Sequence, residues 1–123
     1  MSMTINTRQI GEVTILDIKG RIVLGEESAS VRDAVAYLTS KGRKQILLNL
    51  AGVEYIDSMG LGSLVGAFVS VKRQGGELKL LNMHDKVTDL MQITKLYTVF
   101  DIVNDEAAGL KSFHPITDAA TAS

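Results

Sequence analysis

The sequence predicts an α/β domain built on a mixed, largely parallel sheet, and three observations lead there. Short runs rich in β-branched and aliphatic residues recur along the chain. From residue 28 onward, segments with apolar residues at i, i+3, i+4 and i+7 stand between them. One run, Ile46-Leu47-Leu48-Asn49-Leu50, is almost continuously apolar, as in a central strand covered on both faces. Strands that alternate with helices of this length need crossover connections, and these make neighbouring strands parallel.

Taken in order, residues 3–10 alternate loosely, and residues 13–18 are rich in β-branched side chains, so both read as strands. Gly20 breaks the run, and residues 21–24 read as a short third strand. These early strands add an antiparallel edge. Glu26, Glu27 and Ser28 suit the first turn of a helix, where carboxylates meet the positive end of the helix dipole. Val31, Ala34, Val35 and Leu38 then place one apolar face on a helix over 28–40, which Gly42 stops. After the central strand, Leu61, Leu64, Val65 and Phe68 mark a second helix over 58–73, ended by Gly75-Gly76. Residues 78–81 form the next strand, and Val87, Leu90, Met91 and Thr94 mark a third helix. A last strand over 99–103 and a last helix over 106–112 complete the order βββαβαβαβα.

Composition narrows the function classes. The chain has 123 residues, 46% hydrophobic and 22% charged, which is the balance of one globular domain rather than of a disordered chain. The absence of cysteine removes disulfides, thiolate metal ligands and a thiol nucleophile. A net charge of −1 argues against a general electrostatic grip on nucleic acid or on an anionic membrane. No apolar run approaches the roughly 20 residues that span a bilayer, and the first residues lack the pattern of a secretory signal. The expected location is the cytoplasm. Two histidines, His84 and His114, make a weak ligand set, and no metal or other cofactor is expected. Residues 115–123, small and polar after the single proline, read as a flexible tail behind one domain over 1–114.

One segment stands apart. Tyr55-Ile56-Asp57-Ser58-Met59-Gly60-Leu61-Gly62 joins the buried strand to the second helix. Asp57 and Ser58 are both good N-cap residues. Gly60 and Gly62 fall at the helix start, where each interior glycine costs about 0.8–1.0 kcal/mol relative to alanine. A tight turn packed closely on the sheet explains the glycines structurally. The same geometry serves recognition. Sites in open α/β sheets lie beyond the carboxyl ends of strands, and glycines leave a flat surface that another backbone can approach. A phosphate on Ser58 adds about −1.5 to −2 charge at pH 7, which a helix N-terminus tolerates while the surface beside Asp57 becomes strongly negative.

These residues carry a resemblance. Gln45-Ile46-Leu47-Leu48-Asn49-Leu50, then Ile56-Asp57-Ser58-Met59-Gly60-Leu61-Gly62, then Gly75-Gly76-Glu77-Leu78, resemble the STAS domain family over residues 4–113, and within it the bacterial anti-sigma factor antagonists. That family's motif is Asp-Ser-(Ser/Thr)-Gly-Leu-Gly after the central strand. The resemblance implies a mixed, mostly parallel sheet of about five strands with four helices packed mainly on one side. It implies phosphorylation at Ser58 and partner contact through Asp57, Ser58, Met59, Gly60 and Gly62. It further implies a chain without catalytic residues. Unphosphorylated, the chain sequesters an anti-sigma factor that is also a serine kinase; phosphorylated, it releases that partner, and a serine phosphatase resets it. A weak homodimer is left open.

Two departures bear on this. Met59 stands where the motif has a second Ser or Thr, so Ser58 is the only hydroxyl acceptor in the turn. In Gly20-Arg21-Ile22-Val23, valine stands where the family often has aspartate. The second departure motivates an alternative, a STAS interaction scaffold in a larger signalling or transport assembly that is never phosphorylated. Gly60, Gly62 and Gly66 also hint at a dinucleotide loop, but the strand before them does not open a βαβ unit and no acidic residue follows at the required distance. A phosphoreceiver fold needs an acidic cluster that the early strands lack.

Overall fold

The computed structural model describes residues 3–23 and 26–114, with side chains described except at 26–29. The elements are β1 (Thr4–Ile10), β2 (Val13–Ile22), α1 (Glu26–Ser40), β3 (Gln45–Ile56), α2 (Ser58–Arg73), β4 (Glu77–Leu81), α3 (Asp85–Thr94), a 3₁₀ turn (Leu96–Thr98), β5 (Asp101–Val103) and α4 (Glu106–Lys111). The five strands form one sheet in the order β1-β2-β3-β4-β5. β1 is antiparallel to β2, and the other neighbours are parallel.

This order has a direct consequence. Each parallel crossover steps one strand further in the same direction, and such crossovers are right-handed, so their helices fall on one face. The packing follows suit. Val31, Val35 and Leu38 of α1, Leu61, Leu64, Ala67 and Val71 of α2, and Val87 and Met91 of α3 share one apolar core with Leu16, Ile18, Ile46, Leu48, Leu50, Leu78 and Leu80 of the sheet. Alternation along the strands sends Val13, Ile15, Leu47 and Leu81 to the opposite face, where they meet Phe113, Val103 and Leu110 beside the short α4. β3 is therefore apolar on both sides because both sides are covered. Phe68 and Phe100 meet edge to face, with ring centroids 5.3 Å apart.

Several expected boundaries shift. Gly20 does not end the second strand. It adopts φ +108, a conformation that favours glycine, and β2 continues through it to Ile22 with register shifts against β3. The expected separate strand at 21–24 is thus the end of β2, giving five strands rather than six; Leu24 lies outside the described residues. β3 runs six residues beyond Leu50 to Ile56. The last strand shrinks to Asp101–Val103, because Lys95 takes a left-handed conformation (φ 63) and Leu96–Thr98 coil into the 3₁₀ turn. The tail expected over 115–123 also lies outside the described residues.

Candidate functional site

The site grows from the junction between β3 and α2. The Asp57 backbone N–H donates to the Ile22 carbonyl at 3.2 Å, which ties the end of β3 to the end of β2. Asp57 is the N-cap of α2: its backbone is extended, and its carboxylate accepts from the Gly60 N–H at 2.7 Å. Its carbonyl accepts from the Leu61 N–H at 2.9 Å. Capping by Asp57 makes Ser58 the first residue of the helix, so its hydroxyl is not spent on the cap. That side chain is exposed and makes no hydrogen bond with any described residue.

The two glycines separate in role. Gly60 is buried, and a Cβ there would stand 2.1 Å from the Ile22 carbonyl oxygen, so only glycine lets α2 approach β2 this closely. Gly60, expected from the motif to share in partner contact, is buried at the approach of α2 to β2. Gly62 is exposed, and a Cβ there would meet nothing within 4 Å. Met59 is 56% exposed beside the serine. Ser58, Met59 and Gly62 are thus exposed at the start of α2, Asp57 is half-buried beside them, and Gly60 is buried.

A groove of about 350 Å³ opens next to Ser58, lined by Tyr55, Ile56, Asp57 and Ser58 on one side and by Lys86, Asp89, Leu90 and Ile93 of α3 on the other. The α3 wall was not singled out by sequence reasoning. Its signal was Ile93, an apolar residue one step off the inner stripe Val87–Leu90–Met91–Thr94 and 78% exposed. Met91, by contrast, is fully inside, and Leu96 packs partly against the core. Tyr55 lies under the Arg21 guanidinium, 5.1 Å from its ring centre. His84 occupies the N-cap of α3 without capping it through its side chain, and its Nε2 contacts the Ala51 carbonyl.

Elsewhere the charges are structural. Arg8 donates to both oxygens of Asp17 (2.6 and 2.9 Å) and to both of Glu106 (2.8 and 3.2 Å), and Asn49 donates to Asp17 at 2.7 Å. The Arg8 hydrogen bonds hold the Asp17 carboxyl below the usual range, with the Asn49 hydrogen bond assisting against partial burial. Burial opposes the charge on Glu77, yet hydrogen bonds from the His114 ring (2.7 Å) and backbone N–H (3.2 Å) bring its carboxyl below the usual range as well. Among the described residues no group of three or more His, Asp or Glu stands together to hold a metal ion. No described helix is long and apolar enough to cross a membrane.

This sheet, with Asp57 capping a second helix that begins at Ser58, is the setting in which the STAS domain family matches, over residues 4–109. The chain belongs to the STAS domain family. It is 32% identical, over 111 residues that cover 90% of this chain and all of the relative, to the anti-sigma-B factor antagonist of Bacillus subtilis, which places it within the anti-sigma factor antagonist group. Its fold matches an anti-sigma factor antagonist from Mycobacterium paratuberculosis at TM-score 0.78 and 15% identity, covering 91% of this chain and 94% of that one. It also matches the Bacillus cell fate determinant SpoIIAA, whose structure is known unphosphorylated and phosphorylated. The TM-scores are 0.67 and 0.66 at 16% and 18% identity, with 88% and 85% of this chain and 96% of SpoIIAA covered in both.

Proposed function

We propose that this chain binds an anti-sigma factor through the surface around Ser58, and that phosphorylation of Ser58 by that partner's serine kinase activity ends the binding. The exposed Ser58 hydroxyl, released from capping duty by Asp57, carries this reading. An attacking hydroxyl must reach a visiting active site, and here it stands at the rim of a groove rather than inside the core. The esterified serine adds about −1.5 to −2 charge next to Asp57. A docked protein then faces a new dianion in its contact surface that its own surface was not built to pair, a mismatch that costs several kcal/mol. The fold itself is spared, because no described hydrogen bond depends on the hydroxyl. A serine phosphatase restores the binding state, and the chain contributes no catalytic residue.

Affinity capture of the cognate anti-sigma factor tests this. Ser58→Ala binds like the parent chain, while Ser58→Asp and Ser58→Glu lose about tenfold or more in affinity. Equal binding by all of these would end the proposal. Val23, at the end of β2 beside the Ile22–Asp57 contact, favours the second reading, a STAS scaffold that is never phosphorylated. Mass spectrometry of the chain isolated from its native cell separates the two: phosphate on Ser58 supports the switch.

A further inference from the structure

Resting on the reading of Ser58 as a phosphorylation site, we infer that Lys86 is the intramolecular counter-ion of the phosphorylated serine. The start of α2 is already occupied by an anion. The Asp57 carboxylate holds the Gly60 N–H at 2.7 Å, and the Asp57 carbonyl holds the Leu61 N–H. A phosphate on Ser58 thus meets a helix end partly neutralised by a neighbouring carboxylate, so the dipole alone does not balance it. The compensating charge must come from another element.

Among the described residues that line the groove with Ser58, Lys86 is the single cation. It projects from the first turn of α3, is exposed, and forms no ion pair with any described residue. The other charged groups that face the groove are Asp57 and Asp89, and Tyr55 adds a phenol. Glu54 and Asp85, with His84, share an adjoining groove with Lys86 and compete for it weakly as monoanions. A phosphate dianion outcompetes them, because its charge is larger and it offers three strong acceptor oxygens. The bridge spans the groove. It lies across the apolar lining of Ile56, Leu90 and Ile93, so a partner loses a contact surface as well as meeting a charge.

The test uses phosphoserine installed at position 58 by genetic code expansion and a ³¹P NMR titration of its second ionisation, which lies near pH 6 when free. Lys86→Ala raises that ionisation by about half a pH unit or more, roughly the effect of removing one unit charge a few ångströms away. Lys86→Arg keeps it near the parent value, and Asp89→Asn lowers it. Superimposable titrations of the parent and Lys86→Ala would overturn the inference. Unchanged amide spectra of the unphosphorylated Lys86→Ala chain verify its fold. Neither kinase nor partner enters this measurement, so its outcome is separate from that of the capture experiment.

Discussion

At the scale of single residues, the motif splits into parts that are buried in the turn and parts that are open to solvent. Gly60 and Gly62 look alike in the sequence, but one faces the Ile22 carbonyl and the other faces open space. Gly60→Ala forces α2 away from β2 and lowers stability by about 2–3 kcal/mol, the scale of overpacking a close contact. Gly62→Ala stabilises the chain by about 0.4–1 kcal/mol, since a helical glycine gives way to a better helix former. Chemical denaturation of the two variants checks this, and equal effects would refute the assignment. The anti-sigma factor affinity of Gly62→Ala then tests the proposed docking surface: a loss is expected where a partner backbone packs against Gly62, and unchanged affinity would place the contact elsewhere. The motif itself was readable from the sequence: Asp57 and Ser58 are cap formers, and their order decides which caps and which stays free. The burial of Gly60 was not readable, because it depends on β2 continuing past Gly20 to bring Ile22 alongside.

At the scale of elements, legibility follows how evenly a segment is covered. The second helix is placed correctly from end to end, since its apolar stripe lies on one core and strong signals bound it: Asp57 before, Lys72 and Arg73 in its last turn, Gly75-Gly76 after. The end of β3 was missed because Ala51, Glu54 and Tyr55 stand exposed there and the alternation dissolves. The short α4 covers the sheet face opposite the other helices and buries few side chains, so its polar attachments matter more. Asp105 caps it through the Ala108 N–H at 2.9 Å, and Arg8 clamps Glu106 to Asp17 across β1 and β2. Arg8→Ala removes both bidentate contacts. It accelerates amide exchange in α4 and lowers overall stability by about 1 kcal/mol, the upper range for partly exposed ion pairs. Unchanged α4 exchange in this variant would show that apolar contact alone holds the helix.

At the scale of the whole molecule, the two faces of the sheet are held by different forces, and pH tells them apart. The face under α1, α2 and α3 is packed on an apolar core. The opposite face carries the charges: Asp17 bound to Arg8, Glu77 bound to His114, and the buried Lys79 donating to the Ser112 carbonyl at 2.9 Å and to its hydroxyl at 3.0 Å. Asp17 and Glu77 both ionise below their ordinary range in the folded chain. A carboxyl with a depressed folded pKa binds more protons unfolded than folded, so its contribution is complete above the unfolded pKa of roughly 4 and fades as pH falls through the folded value. Stability measured by denaturant titration is therefore flat from about pH 7 to about pH 5 as far as these two groups are concerned, then drops below about pH 4. Asp17→Asn with Glu77→Gln lowers stability at neutral pH and shallows that acid slope. An unaltered slope in the double variant would place the acid sensitivity elsewhere. Glu77 begins β4 and pairs with Gln45 at the start of β3, while Ser58 follows the far end of β3, so the Glu77–His114 attachment sits at the end of the sheet away from the serine, and its loss in acid falls there rather than at the junction of β3 and α2.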